Sequence, residues 1–226
     1  SSPGFDLNDM GYMKETDYLM NETEIMYRQT DIWKIFRYNA FTLSQKNMWN
    51  YGGTPFSNNA SLRWQSMTMN RYEWDVKETF AWNWLDSRLL RGGPDVRFGS
   101  YFLTSAKFNT DKAKRMMFML KYEGDHNFEG NRFNTISPSL TFRLGNHVYL
   151  SGQLDYAWNT DEMQYVATTS PLSSSSLAPY YYVMGHMDQK TYGLTLKLQV
   201  NVTPDISIQF YGAPFTSIAK YDDFKL

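Results

Sequence analysis

Cysteine is absent from this chain of 226 residues, and so are long apolar runs. Without cysteine the chain has no disulfide, no thiolate metal site and no cysteine nucleophile. No stretch reaches the roughly 18 consecutive apolar residues that a transmembrane helix needs. Charge is also balanced, with 22 basic and 23 acidic residues and a net charge of −1, so nothing favours nucleic acid as a partner. What the chain does have is aromatic residues, which make up 17% of it.

Residues that carry chemistry form no catalytic pattern. His126, His147 and His186 stand in separate segments, at no spacing typical of a metal site or a catalytic dyad. There is no Gly-x-Ser-x-Gly motif, and the adjacent acids Asp161-Glu162 match no calcium-binding loop. We therefore expect a protein that is not an enzyme, with no catalytic residue, no cofactor and no metal ion.

Apolar and polar residues alternate strictly through 191–202 and again through 206–210. This period of two is typical of β-strands with one apolar and one polar face. The short link Thr203-Pro204-Asp205 makes the pair a β-hairpin, with Pro204 in its tight turn.

About ten segments of this kind follow one another between residues 21 and 210, which predicts an all-β fold. Their connections alternate between short and long. That order is typical of an antiparallel up-and-down transmembrane β-barrel with short periplasmic turns and long extracellular loops. We expect one β-barrel region over 1–226, with an external loop at 1–20, strands over 21–210, and the end of the last strand plus an external loop at 211–226.

In such a barrel the apolar face meets lipid, the polar face lines the lumen, and aromatic residues form girdles at the two membrane surfaces. The predicted lipid-facing residues are Leu194, Leu196, Leu198, Val200, Ile206 and Ile208. The predicted lumen-facing residues are Arg63, Asp75, Lys77, Lys197 and Gln199. The predicted girdle residues are Trp74, Trp82, Trp84, Trp158 and Tyr192.

Seven stretches also carry a resemblance. They include Leu90-Arg91-Gly92-Gly93-Pro94 and Tyr221-Asp222-Asp223-Phe224-Lys225, together with 31–37, 134–143, 161–166, 187–191 and 203–211. In this order they resemble a Bacteroidota family of large outer-membrane proteins of uncharacterised function. Members of that family usually join an N-terminal domain like family-nine carbohydrate-binding modules to a long C-terminal β-barrel.

The resemblance implies that this chain is an internal part of the barrel, located in the outer membrane of a Gram-negative bacterium. Its implied partners are outer-membrane lipid and the remaining strands, supplied by the same barrel or by other chains of an outer-membrane complex. The implied role is transport or surface binding of glycans or other nutrients, without catalysis.

Two other interpretations stay open. In a soluble, secreted β-sandwich that binds carbohydrate, the aromatic residues would pack in a core. An outer-membrane hydrolase would need a nucleophile and a base facing each other across neighbouring strands. Solubility separates the first from a barrel, because a barrel needs detergent.

Overall fold

A computed structural model of the chain describes residues 17–145, 147–169, 180–203 and 205–225. These residues form 13 strands and no helix, which confirms the all-β prediction. Within the same ranges no helix has the length and apolar character to cross a membrane. The strands are β1 (Leu19–Gln29), β2 (Phe36–Trp49), β3 (Pro55–Thr68), β4 (Glu73–Trp82), β5 (Trp84–Asp86), β6 (Val96–Phe98), β7 (Tyr101–Asn109), β8 (Met116–Asn127), β9 (Arg132–Leu144), β10 (Val148–Thr169), β11 (Tyr181–Thr203), β12 (Ile206–Gly212) and β13 (Phe215–Lys225).

The main sheet is antiparallel. Neighbouring strands across it follow one another in the order β1-β2-β3-β4-β7-β8-β9-β10-β11-β12. β12 pairs with residues 196–203 of β11, and β13 pairs with residues 184–193 of the same strand. The two therefore form one edge, interrupted at Ala213-Pro214, where Leu194 N donates to Pro214 O at 3.0 Å. Strands β5 and β6 pair only with each other.

The described sheet is open. No pairing joins β1 to the edge made by β12 and β13, so the up-and-down order is confirmed but a closed barrel is not formed by these residues. Each of the two edges leaves a row of backbone donors and acceptors without a neighbouring strand.

Two of the long connections that the sequence predicts, at 49–59 and 124–130, are tight turns in the structure. Residues 50–54 join β2 to β3, and residues 128–131 join β8 to β9. The bonds Asn50 N to Thr54 O (3.0 Å) and Asn127 N to Asn131 O (3.1 Å) close them. The prediction was wrong because the strands continue through polar residues, whose backbone groups pair regardless of side-chain alternation.

The ends of the chain also differ from expectation. The external loop predicted within 211–226 is wrong for the described residues, because β13 continues the edge strand to Lys225. At the other end β1 begins at Leu19, and residues 1–16 of the predicted loop 1–20 lie outside the described residues. Pro204 lies outside them too, although Thr203 and Ile206 on either side of it are paired.

Paired residues of an antiparallel sheet share a face, so the register defines two faces across the main sheet. The face that we call the apolar face carries Ile25, Leu43, Leu62, Val76, Phe80, Phe102, Phe108, Leu120, Ile136, Leu140, Leu150, Leu154, Leu196, Leu198, Val200 and Ile208. The opposite one, the polar face, carries Glu24, Ser44, Arg63, Asp75, Lys77, Thr79, Ser105, Lys121, Glu123, Thr141, Ser151, Gln153, Thr195, Lys197 and Gln199.

Burial runs opposite to that of a soluble protein. Small polar residues of the polar face, such as Ser61, Thr79 and Thr141, are buried among longer side chains. Large side chains of the apolar face are exposed, with Leu62 at 57% and Ile208 at 59%. Soluble monomers rarely expose a contiguous apolar patch of more than a few hundred Å². A face of this extent therefore needs a partner that covers it.

Candidate binding cavity

The structure brings all six predicted lipid-facing residues to the apolar face. Leu194, Leu196, Leu198 and Val200 pair there with Leu154, Gly152, Leu150 and Val148 of β10. Ile208 pairs with Val200, and Ile206 lies two residues before it on the same side of β12.

The five predicted lumen-facing residues share the polar face. Arg63 Nε donates to Asp75 Oδ1 at 2.8 Å, and Arg63 Nη2 donates to Asp75 Oδ2 at 2.5 Å. Gln65 Nε2 donates to the same carboxylate at 3.2 Å. In the register of β3 and β4, Lys77 is the residue opposite Arg63. Opposite charges on this face therefore pair with each other, as a bidentate arginine–carboxylate contact favours.

Four of the predicted girdle residues lie on the apolar face of the main sheet. The Trp74 ring lies 4.4 Å from Phe108, and Trp82 stacks on Phe80 at 5.6 Å. Trp158 and Tyr192 belong to one stack, since each ring contacts Tyr156, at 5.1 and 5.0 Å. We call this stack of Tyr156, Trp158 and Tyr192 the aromatic border.

The apolar face changes character beyond the aromatic border. On β11 the residues that follow Tyr192 on that face are Lys190, opposite Trp158, and then Asp188, opposite Thr160. Thr160 Oγ1 donates to Asp188 Oδ1 at 2.9 Å. Lys220 of β13 is opposite Asp188 in the strand register, and His186 Nδ1 lies 3.2 Å from Glu162 Oε2. The hydrogen bond to Glu162, supported by Asp188, raises the pKa of His186 above its usual value.

Trp84, the fifth predicted girdle residue, lies elsewhere. Asn83 has a positive φ of 55°, which ends the alternation of β4 and turns the chain out of the main sheet. Trp84 then begins β5 and pairs with Phe98 of β6. Its ring meets Tyr101 of the polar face edge-on, at 5.8 Å and 89°. The β5–β6 hairpin thus folds over the polar face.

The loop of this hairpin reaches the far strands of the sheet. The Arg91 guanidinium lies 5.2 Å from the ring of Tyr165 in β10. Gly93 packs so closely against β11 that an added Cβ would lie 2.6 Å from Tyr182 Oη. A larger residue would require the Tyr182 side chain to move, and its Cβ would also lie 2.7 Å from Leu90 Cβ. The hairpin therefore forms a roof from β4 and β7 across to β10 and β11.

Beneath this roof lies a cavity of about 780 Å³. Small-molecule sites typically measure about 300–1,000 Å³. Four aromatic rings line it, from Trp84, Phe98, Tyr101 and Phe133. Between them lie five amides and three carboxylates, from Asn59, Asn127, Asn131, Asn159, Gln164, Asp86, Asp125 and Asp161. Arg132 also borders the cavity, although its pairing with Thr160 places it on the apolar face.

Several of these polar groups brace the rim. Asn127 Oδ1 accepts hydrogen bonds from Glu129 N (3.0 Å) and Asn131 N (2.9 Å). Asn131 Oδ1 accepts one from Glu162 N (2.7 Å), and Glu129 Oε1 accepts one from Gly99 N (3.1 Å). Neighbouring connections hold each other through these bonds, so the cavity is formed without a ligand.

Asp125 differs from the bracing residues. It stands between Leu103 and Phe133 on the polar face, and none of the described residues donates a hydrogen bond to its carboxylate. Burial raises the pKa of Asp125, and burial together with Asp125 raises the pKa of Tyr101 to about 12. Asp125 follows Gly124, the β8 residue in the same paired row as Trp158, and Tyr101 is the first residue of β7.

Two amides of the cavity also have unused hydrogen-bonding capacity. The Asn59 side chain makes no hydrogen bond with the described part of the chain. Asn159 Nδ2 donates to Gln189 Oε1 at 3.2 Å, but Asn159 Oδ1 is buried and has no donor there. The cavity therefore offers unused acceptors and unused donors together.

Catalytic geometry is not evident in the described residues. No group of three or more His, Asp or Glu side chains among them could hold a metal ion. Ser217 and Lys220 have the spacing of a Ser-x-x-Lys motif, but three positions along a strand place them on opposite faces. Ser217 Oγ lies 2.9 Å from Thr191 Oγ1, while Lys220 Nζ donates to Asp222 Oδ2 at 2.8 Å.

Sequence patterns identified little of this cavity. Of the predicted site residues only Trp84 lines it, and its predicted place was a girdle. A usable signal was present in β7 and β9, where Leu103 and Phe133 interrupt an otherwise polar face on either side of Asp125. The positive φ of Asn83, which creates the roof, follows from tertiary structure.

Fold and cavity together define an antiparallel sheet protein with an exposed apolar face and a roofed polar cavity at one end. The chain belongs to a family described as a domain of unknown function (DUF5916), whose model matches residues 1–226. Neither a curated protein nor a solved structure matches it. The family description agrees with the expected uncharacterised family and states no activity, location or source organism.

Proposed function

We propose that this chain is a membrane-embedded section of an outer-membrane β-barrel in a Gram-negative bacterium, and that it binds or transports nutrients without catalysis. The observation that carries the proposal is the inverted burial of the sheet. Small polar side chains are buried on one face, and large apolar side chains are exposed on the other. Lipid covers an entire face of this kind, while the polar face lines a lumen.

The height of the apolar region fits a bilayer. Residues 148–158 of β10 run from the short turn to the aromatic border. Ten residue steps at about 3.4 Å give roughly 34 Å along the strand. A tilt of about 40° reduces this to about 26 Å, close to the apolar band of roughly 25 Å in outer-membrane barrels.

Polar residues on the apolar face support the same boundary. Glu78 interrupts that face in β4, and it accepts a hydrogen bond from Thr104 Oγ1 at 2.7 Å. The register runs from Glu78 through Thr104, Gly124 and Asn134 to Trp158, so this carboxylate lies in the same paired row as the aromatic border. Aromatic rings and charged groups both occur at a membrane surface.

Closure requires further strands. Unpaired backbone groups inside a bilayer have no water to bond, so an open edge is not tolerated there. We propose that strands from the same barrel or from other chains of an outer-membrane complex pair with β1 and with the β12–β13 edge. We also propose, on the basis of the resemblance, that the protein comes from a member of the Bacteroidota.

Behaviour in detergent tests the proposal. We expect the full-length protein to require detergent and to migrate differently on a gel before and after boiling, because a closed barrel resists detergent until it is heated. A protein that is monodisperse in buffer without detergent would instead support the soluble, carbohydrate-binding β-sandwich, and the membrane proposal would be wrong.

A further inference from the structure

We infer that the cavity beneath the β5–β6 hairpin binds an uncharged saccharide. This inference rests on the proposed function only for the placement of the cavity at the cell surface. The recognition itself follows from the side chains that line the cavity.

The aromatic side chains provide the first step. Trp84 and Tyr101 meet edge-on at 5.8 Å, and Phe98 and Phe133 line the same cavity. Trp and Tyr rings combine a large apolar surface with a polar edge. The axial C–H groups of a sugar ring form an apolar patch that packs on such a ring, while its hydroxyls project sideways.

The unused polar groups provide the second step. The Asp125 carboxylate and Asn159 Oδ1 are acceptors without donors, and the Asn59 amide brings both donors and an acceptor. A hydroxyl group donates and accepts at once, so a polyhydroxylated ligand matches this mixture. A cationic amine would satisfy Asp125 but would offer nothing to the donors of Asn59.

Charge provides the third step. Three carboxylates, from Asp86, Asp125 and Asp161, line the cavity. Arg132 is the one basic residue among the described lining residues, and its pairing with Thr160 places it on the apolar face. This excess of negative charge disfavours anionic ligands, including uronic acids and phosphates. The cavity volume of about 780 Å³ lies within the range of pockets that hold drug-sized ligands. A saccharide of about two or three rings is a ligand of that size.

Two substitutions test the site without removing an internal hydrogen bond. Asp125→Asn keeps the shape of the side chain and removes a half-buried charge, so we expect the variant to fold at least as well as the original. Asn59→Ala removes an amide that bonds to none of the described residues. Glu123→Gln is the matched control, because Glu123 lies on the same face of β8 but does not line the cavity.

The experiment is calorimetric titration of the purified full-length protein, in detergent if it requires it. The probes are neutral trisaccharides of glucose, mannose, xylose and N-acetylglucosamine, with trigalacturonic acid and spermidine as charged probes. We expect at least one neutral trisaccharide to bind, and we expect Asp125→Asn to weaken that binding about tenfold to 100-fold. Asn59→Ala should weaken it less, and Glu123→Gln should leave it unchanged.

Three results would overturn the inference. They are binding of no neutral probe, a clear preference for trigalacturonic acid or spermidine, and neutral binding that both cavity variants retain at full strength. The last result would locate the sugar on another part of the protein. If the protein requires detergent and binds no sugar, the membrane proposal stands and this inference is wrong. If the protein is soluble and its sugar binding is lost in Asp125→Asn, this inference stands and the membrane proposal is wrong.

Discussion

The two ends of the sheet are built from the same strands but from different side chains. Between the short turns and the aromatic border, β10 and β11 present aliphatic residues such as Leu150 and Leu198 on an exposed face. Beyond the border the same strands continue with Thr160 and Asp188, and their connections bind one another. Backbone pairing is continuous through both ends. Side-chain chemistry, and not secondary structure, therefore shows where the surroundings of the sheet change.

The largest effect should come from placing a charge in the aliphatic end. Leu196→Arg puts a guanidinium on the apolar face opposite Gly152, near the middle of the proposed bilayer. We expect a loss of about 2–4 kcal/mol in the free energy of folding into bilayers, measured by denaturant titration in lipid vesicles.

Thr195→Arg is the matched control for this prediction. Thr195 precedes Leu196 in the chain but lies on the polar face, opposite Gln153. Asp155 is two residues further along β10 on that face and offers a partner for the new charge. We expect this variant to lose much less stability. Equal losses in the two variants would show that the two faces do not differ in environment.

A second, intermediate effect should come from the roof of the other end. Gly93→Val places a side chain where a Cβ would lie 2.6 Å from Tyr182 Oη and 2.7 Å from Leu90 Cβ. Crowding of this kind costs about 1–3 kcal/mol, and the loop relieves it by leaving the surface of β11. We expect faster proteolysis within residues 87–95, measured by mass spectrometry of timed digests, and unchanged folding of the aliphatic end.

Gly152→Ala serves as the control, because its added Cβ would meet Leu196 Cδ2 at an ordinary 3.5 Å. That variant should keep the original digestion rate. If Gly93→Val also kept it, the roof would not depend on the close contact with Tyr182.

The smallest effect concerns pH and the polar end of the apolar face. His186 lies 3.2 Å from Glu162 and 3.5 Å from Asp188, and these contacts raise its pKa above 6.5 in the folded state. Its stabilising contribution is fully present below pH 6.5 and is lost as the pH rises through the folded pKa. We expect the unfolding temperature to fall slightly between about pH 6 and pH 8. His186→Gln should remove that step, and an identical pH profile in the variant would contradict the assignment.

The alternation of apolar and polar residues predicted which side chains share a face of the sheet. Leu194 to Val200 gave the sidedness of β11, and Arg63 and Asp75 were placed together on the polar face, because the period of two fixes which residues share a face. The same alternation did not predict the strand ends, because backbone pairing continues past the residues that alternate. Ser57 and Asn58 have the composition of a loop, yet they pair with Met48 and Asn47 of β2.

The cavity could not be predicted from such patterns. It depends on the turn at Asn83 and on the close approach of Gly93 to Tyr182, which bring residues distant in sequence together. Five aromatic residues near strand ends are predicted as girdle residues, and composition alone does not distinguish a ring in a girdle from a ring in a binding site. Trp84 shows this ambiguity, since it lies beside Tyr101 and not on the apolar face.

The most direct test of the membrane proposal is a cysteine scan of β11. This chain has no cysteine, so single substitutions from Tyr192 to Val202 give unique sites for a spin label in the protein reconstituted into bilayers. Collision with oxygen reports lipid, and collision with a water-soluble nickel complex reports the lumen. We predict a strict period of two, with oxygen favoured at Leu194, Leu196, Leu198 and Val200 and the nickel complex favoured at the positions between them. Access of the nickel complex to all of these positions, with no alternation, would contradict the assignment of the apolar face to lipid.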